Sequence, residues 1–405
     1  MGARLVTVGL VAMYLLALVA MGGWGQWGRL GVPPGNYTFE DMRSVTSGWE
    51  CTRRGVPVLA TNPCDPLNRP ANYPQIWMRI AFLKLDKHVV VLGLVVAAVA
   101  ALAALLIVPA DAPAWNGVVY AAAICSPAVM LGFERGNVDL LLFGLVVAAA
   151  LVLRRGLRGS VTSHALVLVA AILKLFPIFA AGMFVRRARD RRSLALLVGL
   201  LVAFAIYALA ILSEIRTIGR VVPQTDLHSY GVRTFAIWWS TEVPPNSARF
   251  WGLAVVGAAA LLALMFPPRL PRTSAPPTDS EQRDLDLFWA GASVYVLTFA
   301  LFQNFDYRLI FLLATLPQLL RWSMAGSRLG VTALVFAFLT LCLASPWNGV
   351  PVIGWLEPGW RYVTAFHPVA NYNPLSAAAT AQLLLAFALL AALAGSLRPL
   401  ASKDR

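Results

Sequence analysis

The chain consists of long apolar runs separated by short clusters of polar and charged residues. Most runs are about 18–22 residues long, which is the length of an α-helix that crosses the hydrocarbon core of a bilayer. Polar and apolar residues do not alternate along them, so the pattern excludes a transmembrane β-barrel. The sequence predicts an all-α, polytopic helical membrane protein with about ten full spans in a single integral-membrane domain, 1–405. The predicted spans are 5–22, 88–108, 115–132, 138–153, 193–213, 249–266, 287–302, 309–320, 329–345 and 375–395.

Residues 164–185 do not fit a simple crossing. The segment ends in the basic cluster RRARDRR, which a full crossing would carry outside, against the preference of Lys and Arg for the cytoplasm. Pro177 removes a backbone donor and breaks the helix, and Lys174 is costly at that depth unless it faces a cavity or a partner. Non-helical backbone inside a membrane is tolerated only beside protein or water. We therefore predict a re-entrant or broken helical hairpin with both ends in the cytoplasm.

The charged residues orient the predicted spans. They make up 13% of the chain, about half the usual share, and the formal net charge is +14. Arginine clusters on the cytoplasmic side account for this balance, so no nucleic-acid partner is expected. The first run, 5–22, is followed by no small-residue cleavage site and is interpreted as an uncleaved span. We expect a multi-pass protein of the plasma (inner) membrane with its N-terminus and C-terminus in the cytoplasm.

Two long connections interrupt the spans. In this topology residues 23–87 form a long first extracytoplasmic loop, and its end, Gln75–Leu85, has the pattern of an amphipathic interfacial helix. Residues 267–286 are rich in Pro and polar residues and are expected to be a disordered cytoplasmic linker. A disulfide between Cys51 and Cys64 is predicted, because both lie in the outer loop, where disulfides persist. No set of metal ligands is visible, so neither a metal nor a cofactor is expected.

The unusual polar residues fall on the predicted outer face, and Lys174 can point toward the same side from within the membrane. Polar groups are expensive inside a membrane, so we expect these residues to line an outward-facing cavity. The polar stretches are Phe39–Val45, Cys64–Pro74, Glu134–Asp139, Leu227–Phe235 and Asn304–Arg308.

Each of these groups also has a purely structural explanation. Glu134 and Arg135 fit an ion pair at the end of a span, and Asn137 fits a helix cap. Asp306 can pair with Arg308 as an interfacial anchor. Lys174 can extend its side chain to the membrane surface, although its central position argues against this.

The polar set suits chemistry on a lipid-linked sugar phosphate. Arginine and lysine bind phosphate through charge-assisted hydrogen bonds, while carboxylates and amides bind sugar hydroxyls. An Asp or Glu within hydrogen-bond reach can serve as general base for an acceptor hydroxyl. One carboxylate with basic residues fits direct displacement with inversion, whereas retention usually needs two carboxylates flanking the bond.

Four ordered motifs carry a resemblance to a known family. Asp41 in the first loop is followed by Gly55 and by NYP at Asn72–Pro74. The element RGNVDLLLF opens the fourth span, KLFP begins at Lys174, and DYRLIFLLATLP begins at Asp306. The order resembles glycosyltransferase family 87, within the GT-C superfamily of polyprenyl-phosphate-sugar-dependent glycosyltransferases. That family includes actinobacterial phosphatidylinositol mannoside mannosyltransferases.

The resemblance implies an inverting transfer of a sugar, with mannose as the expected sugar, on the extracytoplasmic face. The expected partners are a polyprenyl-phosphate sugar donor, a lipid or glycan acceptor, and membrane lipids. By resemblance, Asp41 is the catalytic base. The residues assigned to the donor phosphate are Lys174, Arg308 and Arg135. The residues assigned to the sugar and acceptor pocket are Asn137, Asp139, Asp306, Tyr73, Asn72, Arg69 and His228.

Two other classes of protein remain open at the level of sequence. A lipid-linked glycan flippase or transporter would use Lys174 and the broken helix as a midplane binding site. Its marks would be a second polar entrance on the inner face and internal repeats, and the sequence shows neither. A non-catalytic subunit of an envelope assembly complex would not need Asp41.

Overall fold

The computed structural model is almost entirely helical in the residues that it describes, and those residues are 2–188, 190–222, 229–232, 245–271, 277–301, 303–343 and 374–397. Within them, the only sheet is an antiparallel pair of two-residue strands, β1 (Ser229–Tyr230) and β2 (Asn304–Phe305). The predicted all-α class is confirmed.

The first helix, α1 (Ala3–Ala20), is followed by a 3₁₀ helix, Trp24–Leu30. The amphipathic helix α2 (Glu40–Arg53) lies in the long connection before the second apolar run. A disulfide joins Cys51, near the end of α2, to Cys64, and two more 3₁₀ helices complete the connection. These 3₁₀ helices and the helix after them are Gln75–Leu83, Leu85–His88 and α3 (Val89–Ile107).

The third apolar run is bent. It forms α4 (Asn116–Ile124) and α5 (Pro127–Arg135), which meet at 50°. Pro127 explains the break, because proline is accepted in the first turn of a helix but disrupts a helix interior. Helix α6 (Asp139–Val152) follows directly after α5.

The segment around Pro177 reverses direction. Helix α7 (Gly156–Leu173) ends where Lys174 becomes extended, and a 3₁₀ helix and the short α8 (Gly182–Val185) follow. The ring of His164 in α7 stacks on the ring of Phe184 in α8, with centroids 3.7 Å apart. The two arms therefore lie side by side with Lys174 near the turn, and α7 begins well before the predicted residue 164. The position of both ends in the cytoplasm stays a prediction.

The remaining helices surround a central one. In α12 (Asp279–Leu301), 78% of the most apolar 18-residue stretch is buried, compared with 11% in α9 (Arg191–Ala210), so α12 forms the core and α9 faces outward. Phe311, in the 3₁₀ helix after α12, packs edge-to-face on Phe143 of α6. The helices are α9 (Arg191–Ala210), α10 (Leu212–Val221), α11 (Pro245–Met265), α12 (Asp279–Leu301), the 3₁₀ helix Asp306–Thr315, α13 (Leu316–Met324), α14 (Arg328–Leu343) and α15 (Pro374–Leu397).

The predicted linker is partly helical, since α12 begins at Asp279 within 267–286. The backbone N–H of Thr278 donates to Glu281 at 2.8 Å, and the N–H of Glu281 donates to the Thr278 hydroxyl at 3.2 Å. This is a capping box, which starts a helix by satisfying its first donors. The central linker residues, 272–276, lie outside the described residues.

Six described helices are long and apolar enough to cross a membrane, and the bent pair α4–α5 raises the number to seven. The protein is therefore a multi-pass membrane protein. The predicted count of ten spans is not confirmed, because several apolar runs form shorter helices. These shorter segments are Asp139–Val152, Phe176–Val185, Gly252–Met265 and Arg328–Leu343.

Candidate active site

Segments far apart in the sequence bring predicted site residues together at one end of the helices. The segments are the start of α2, the loop before α3, the turn between α5 and α6, the tip of the α7–α8 hairpin and the start of the 3₁₀ helix after α12. Their contacts form two groups, one around Asp41 and one around Asp139, which Asn137 connects. The predicted residues in these contacts are Asp41, Arg69, Tyr73, Arg135, Asn137, Asp139, Lys174 and Arg308.

Asp41 is held by an amide and faces two guanidinium groups. It lies in the first turn of α2, where the positive end of the helix dipole favours a carboxylate. Asn137 donates a hydrogen bond from Nδ2 to its Oδ2 at 2.6 Å, and Arg69 lies 3.7 Å from its Oδ1. Burial raises the pKa of the Asp41 carboxyl, while Arg135, Asn137 and Arg69 oppose the rise. Because its side chain is 20% exposed, Asp41 remains open to a substrate.

Asn137 caps a helix, as one sequence-based alternative expected, and it also contacts Asp41. Its Oδ1 accepts a hydrogen bond from the backbone N–H of Asp139 at 2.8 Å, which caps the start of α6. Its Nδ2 is then directed at Asp41. Gly136, just before it, has a φ of +56°, a left-handed conformation that ends α5 and suits glycine. One turn therefore connects the candidate base to the start of α6.

Gly93 and Gly136 form a slot, here called the glycine slot, for the ring of Phe39, the residue just before α2. Phe39 has a φ of 52° and is buried, and its ring packs edge-to-face on Trp24 with centroids 4.6 Å apart. A Cβ added to Gly93 of α3 would lie 2.4 Å from the Phe39 ring, and one added to Gly136 would lie 2.8 Å from it. Only glycine leaves room for this ring. Sequence reasoning missed the slot, because Gly93 lies in a uniformly apolar run.

An ion-pair network fastens the first loop to the helices. Glu40 lies 3.1 Å from both Arg69 and Arg135. Arg135 also contacts Glu134 at 3.1 Å, and Glu134 accepts a hydrogen bond from the backbone N–H of Gly35 at 2.9 Å. The expected pair between Glu134 and Arg135 is formed, but as part of a larger network. Glu40 was not singled out from sequence, although it is adjacent to Asp41.

Two cations share one buried carboxylate in the second group. Lys174 Nζ lies 2.6 Å from Asp139 Oδ1, and Arg308 Nε lies 3.2 Å from Asp139 Oδ2. The ammonium of Lys174 therefore turns into the protein instead of extending to the membrane surface. Arg308 also donates to the side-chain oxygen of Asn304.

Aromatic rings surround the two cations. Lys174 Nζ is 5.1 Å from the ring centre of Tyr73 and 5.7 Å from that of Tyr307. The guanidinium carbon of Arg308 is 4.0 Å from the ring centre of Phe176. Ring faces attract cations, so these contacts hold both groups in place without adding negative charge.

Three predicted site residues stand apart from these contacts. Asp306 is fully buried, and neither of its carboxylate oxygens has a hydrogen-bond partner in the described part of the chain. It forms no ion pair with Arg308, so that structural alternative is wrong; Arg308 is drawn to Asp139 and Asn304 instead. Asn72 is partly buried beside Tyr73 in the same loop, and His228 lies outside the described residues.

The fold and the site together define a class of protein: a multi-pass helical membrane protein with carboxylates and cations clustered at one end of its helices. The profile of glycosyltransferase family 87 matches residues 77–282, just over half of the chain, so the chain belongs to this family and is a membrane glycosyltransferase. The match includes Arg135, Asn137, Asp139 and Lys174 but not Asp41. Comparisons with curated proteins and with solved structures found no match.

Proposed function

We propose that the protein is an inverting glycosyltransferase that moves a sugar, expected to be mannose, from a polyprenyl-phosphate donor to a hydroxyl of a lipid or glycan acceptor. We place the reaction at the extracytoplasmic face of the plasma membrane, with both termini in the cytoplasm. The observation that carries the proposal is the connection through Asn137. Its amide binds Asp41, and the next helix begins with Asp139, which holds Lys174 and Arg308.

In this mechanism Asp41 accepts the proton of the acceptor hydroxyl as the oxygen attacks the anomeric carbon. The bond from that carbon to the phosphate oxygen breaks in the same displacement, so the configuration inverts. The proton remains on Asp41, and the polyprenyl phosphate leaves with its charge stabilised by Lys174 and Arg308.

The two groups suit these separate roles. Asp41 is partly exposed, and nearby guanidinium groups favour its anionic form, the form that a base requires, and oppose the rise in its pKa that burial causes. Asp139 is buried and held by two cations, which leaves it poorly placed to act as a second catalytic carboxylate. Arg308 uses Nε for Asp139 and one terminal nitrogen for Asn304, and guanidinium has five donors. Further donors of Arg308 can therefore bind a phosphate.

The test is sugar transfer by the purified protein in lipid, with a panel of polyprenyl-phosphate sugars and a lipid acceptor extract. Asp41→Asn removes the base but keeps the shape of the side chain, and we expect transfer to fall by about 10²–10⁴-fold. Asp111→Asn, at an exposed residue between α3 and α4, is the matched control and should behave as wild type.

Full transfer by Asp41→Asn would move the base to another residue. A product with retained anomeric configuration would overturn the displacement mechanism. Glycan movement across the membrane without a new glycosidic bond would favour the flippase over the transferase.

A further inference from the structure

A polar cavity lies at the opposite end, from the candidate active site, of two helices that help to build that site. Helix α6 begins at Asp139 in that site and ends at Val152, beside the cavity. Helix α12 runs the opposite way, from Gln282 at the cavity toward Asn304 at the site. The cavity has a volume of about 1120 Å³ and is therefore large enough for a polar headgroup.

The cavity wall is both apolar and cationic. Leu153, Leu157 and Trp322 are among the apolar residues of the wall. Five arginines also border the cavity, namely Arg154, Arg186, Arg187, Arg192 and Arg321. This combination matches an amphiphile with an anionic head, since guanidinium groups bind phosphate and apolar walls accept hydrocarbon.

The carboxylates nearby do not use all of the arginine donors. Asp286 is fully buried and is shared by Arg186 and Arg187. This group of three side chains therefore carries one net positive charge. The Nε atoms of Arg186 and Arg321 have no hydrogen-bond partner in the described part of the chain, although Arg321 pairs with Asp284 at 2.7 Å and lies 3.6 Å from Glu281.

The acidic groups at the rim of the cavity compete only weakly with a bound anion for the arginines. Asp279, which pairs with Arg154, has a side chain that is 94% exposed, and solvent weakens such a pair. Asp190 accepts hydrogen bonds from the backbone of Arg192 and Ser193 and caps α9. No acidic side chain of the described ranges forms an ion pair with the Arg192 guanidinium.

A buried histidine supplies an independent observation. His164 borders the cavity and is only 8% exposed. Its Nδ1 donates to the carbonyl of Ser160 at 2.8 Å, because a carbonyl can only accept. Its Nε2 has no hydrogen-bond partner in the part of the chain that the structure describes, and stacking on Phe184 fixes the ring. A buried polar atom normally has a partner, and Nε2 is an acceptor while Nδ1 carries the proton, so this nitrogen points to a ligand that donates a hydrogen bond.

We infer that the cavity binds the headgroup of an anionic phospholipid that carries a hydroxyl, with the arginines around its phosphate and His164 Nε2 accepting a hydrogen bond from the headgroup hydroxyl. Leu157 in the cavity wall and Leu194, which follows the lining residue Ser193, are 62% and 50% exposed, so exposed apolar side chains adjoin the cavity. This apolar surface favours a lipid over a free phosphate ion. The assignment goes beyond the proposed transfer reaction and does not depend on it.

The experiment is native mass spectrometry of the full-length protein in detergent. Dioleoyl phosphatidylglycerol is compared with dioleoyl phosphatidylcholine, and inorganic phosphate is added as a competitor. Two variants, Arg192→Gln and His164→Leu, each change one residue of the cavity wall. Arg220→Gln on α10, an exposed arginine beyond the far end of α9, is the matched control. Circular dichroism of each variant verifies that it is folded.

We expect retention of phosphatidylglycerol but not of phosphatidylcholine. Each cavity variant should weaken retention about tenfold, the effect of one lost hydrogen bond, while Arg220→Gln should leave it unchanged. Equal retention of the two lipids, or folded cavity variants that bind as wild type, would overturn the proposal. Displacement of the lipid by inorganic phosphate at equal concentration would assign the cavity to the free ion and also overturn it.

Discussion

The hydrogen bond between Asn137 and Asp41 offers the most direct test of the proposed base. We consider Asn137→Ser, because serine can still accept a hydrogen bond from the N–H of Asp139 and cap α6. The shorter side chain cannot span to Asp41, which Asn137 now reaches with a bond of 2.6 Å. The substitution therefore removes the contact with Asp41 and keeps the start of the helix.

The size of the expected pKa shift follows from how much the hydrogen bond stabilises the ionised Asp41 carboxylate. A hydrogen bond to a charged group contributes about 1.5–3 kcal/mol, and 1.36 kcal/mol corresponds to one pKa unit. Water can replace part of the lost bond, because the Asp41 side chain is 20% exposed. We therefore take the lower end and expect the half-maximal pH on the acidic side of the kcat/KM profile to rise by about one unit.

The direction in which the pH profile moves follows from the role of Asp41 as a base. Burial already raises the pKa of Asp41, and Asn137 opposes that rise, so removal of the amide raises the pKa further. A general base works only when deprotonated, so activity is lost at a higher pH than in wild type and returns as the pH increases.

The assay is the pH dependence of kcat/KM for sugar transfer in lipid. Asn116→Ser provides the matched control, since Asn116 is also buried but lies at the start of α4, outside the site. A variant whose rate falls equally at every pH, with an unchanged acidic limb, would refute the reasoning. Asn137 would then act on the substrate and not through Asp41.

Two further predictions test the glycine slot and the topology. Gly93→Ala should lower the free energy of unfolding by about 1 kcal/mol, because the overpacking cost of 1–3 kcal/mol against Phe39 exceeds the gain of up to about 1 kcal/mol from replacing a helical glycine. Gly199→Ala, where an added Cβ meets nothing within 4 Å, should stabilise the protein instead. Thermal unfolding in detergent compares the two variants, and a shift of the melting temperature with the same sign in both would contradict the glycine slot. In a background without Cys125 and Cys342, an impermeant maleimide should label Lys87→Cys on intact cells but Arg158→Cys only after permeabilisation, and the reverse pattern would invert the proposed orientation.

The sequence predicted the class of fold better than the number of spans. Long apolar runs predict helices because backbone groups in hydrocarbon must be satisfied within the chain. The count of ten assumed that each apolar run outside the predicted hairpin forms one straight helix of full length. Pro127 bends one run, and other runs form shorter helices. The capping box at Thr278 and Glu281 was readable in the sequence and would have corrected the linker boundary.

The site residues could be proposed one by one, but their pairing could not. Lys174 and Arg308 lie 35 and 169 positions from Asp139 along the chain, and no local pattern connects such distant positions. The same limit explains why the alternative pair between Asp306 and Arg308, which rested on their closeness in sequence, is wrong. Glu40 was overlooked because a charged residue in a polar loop normally needs no partner, whereas here it fastens that loop to the helices.

The shared carboxylate of Asp139 has a consequence for turnover. The two cations share one carboxylate, so the group carries one net positive charge before any donor arrives, and one phosphate charge balances it. When the polyprenyl phosphate departs, Asp139 still pairs with Lys174 and Arg308, so neither cation is left without a counter-ion. In the proposed reaction cycle, this internal counter-ion favours release of the charged product and restores the empty enzyme.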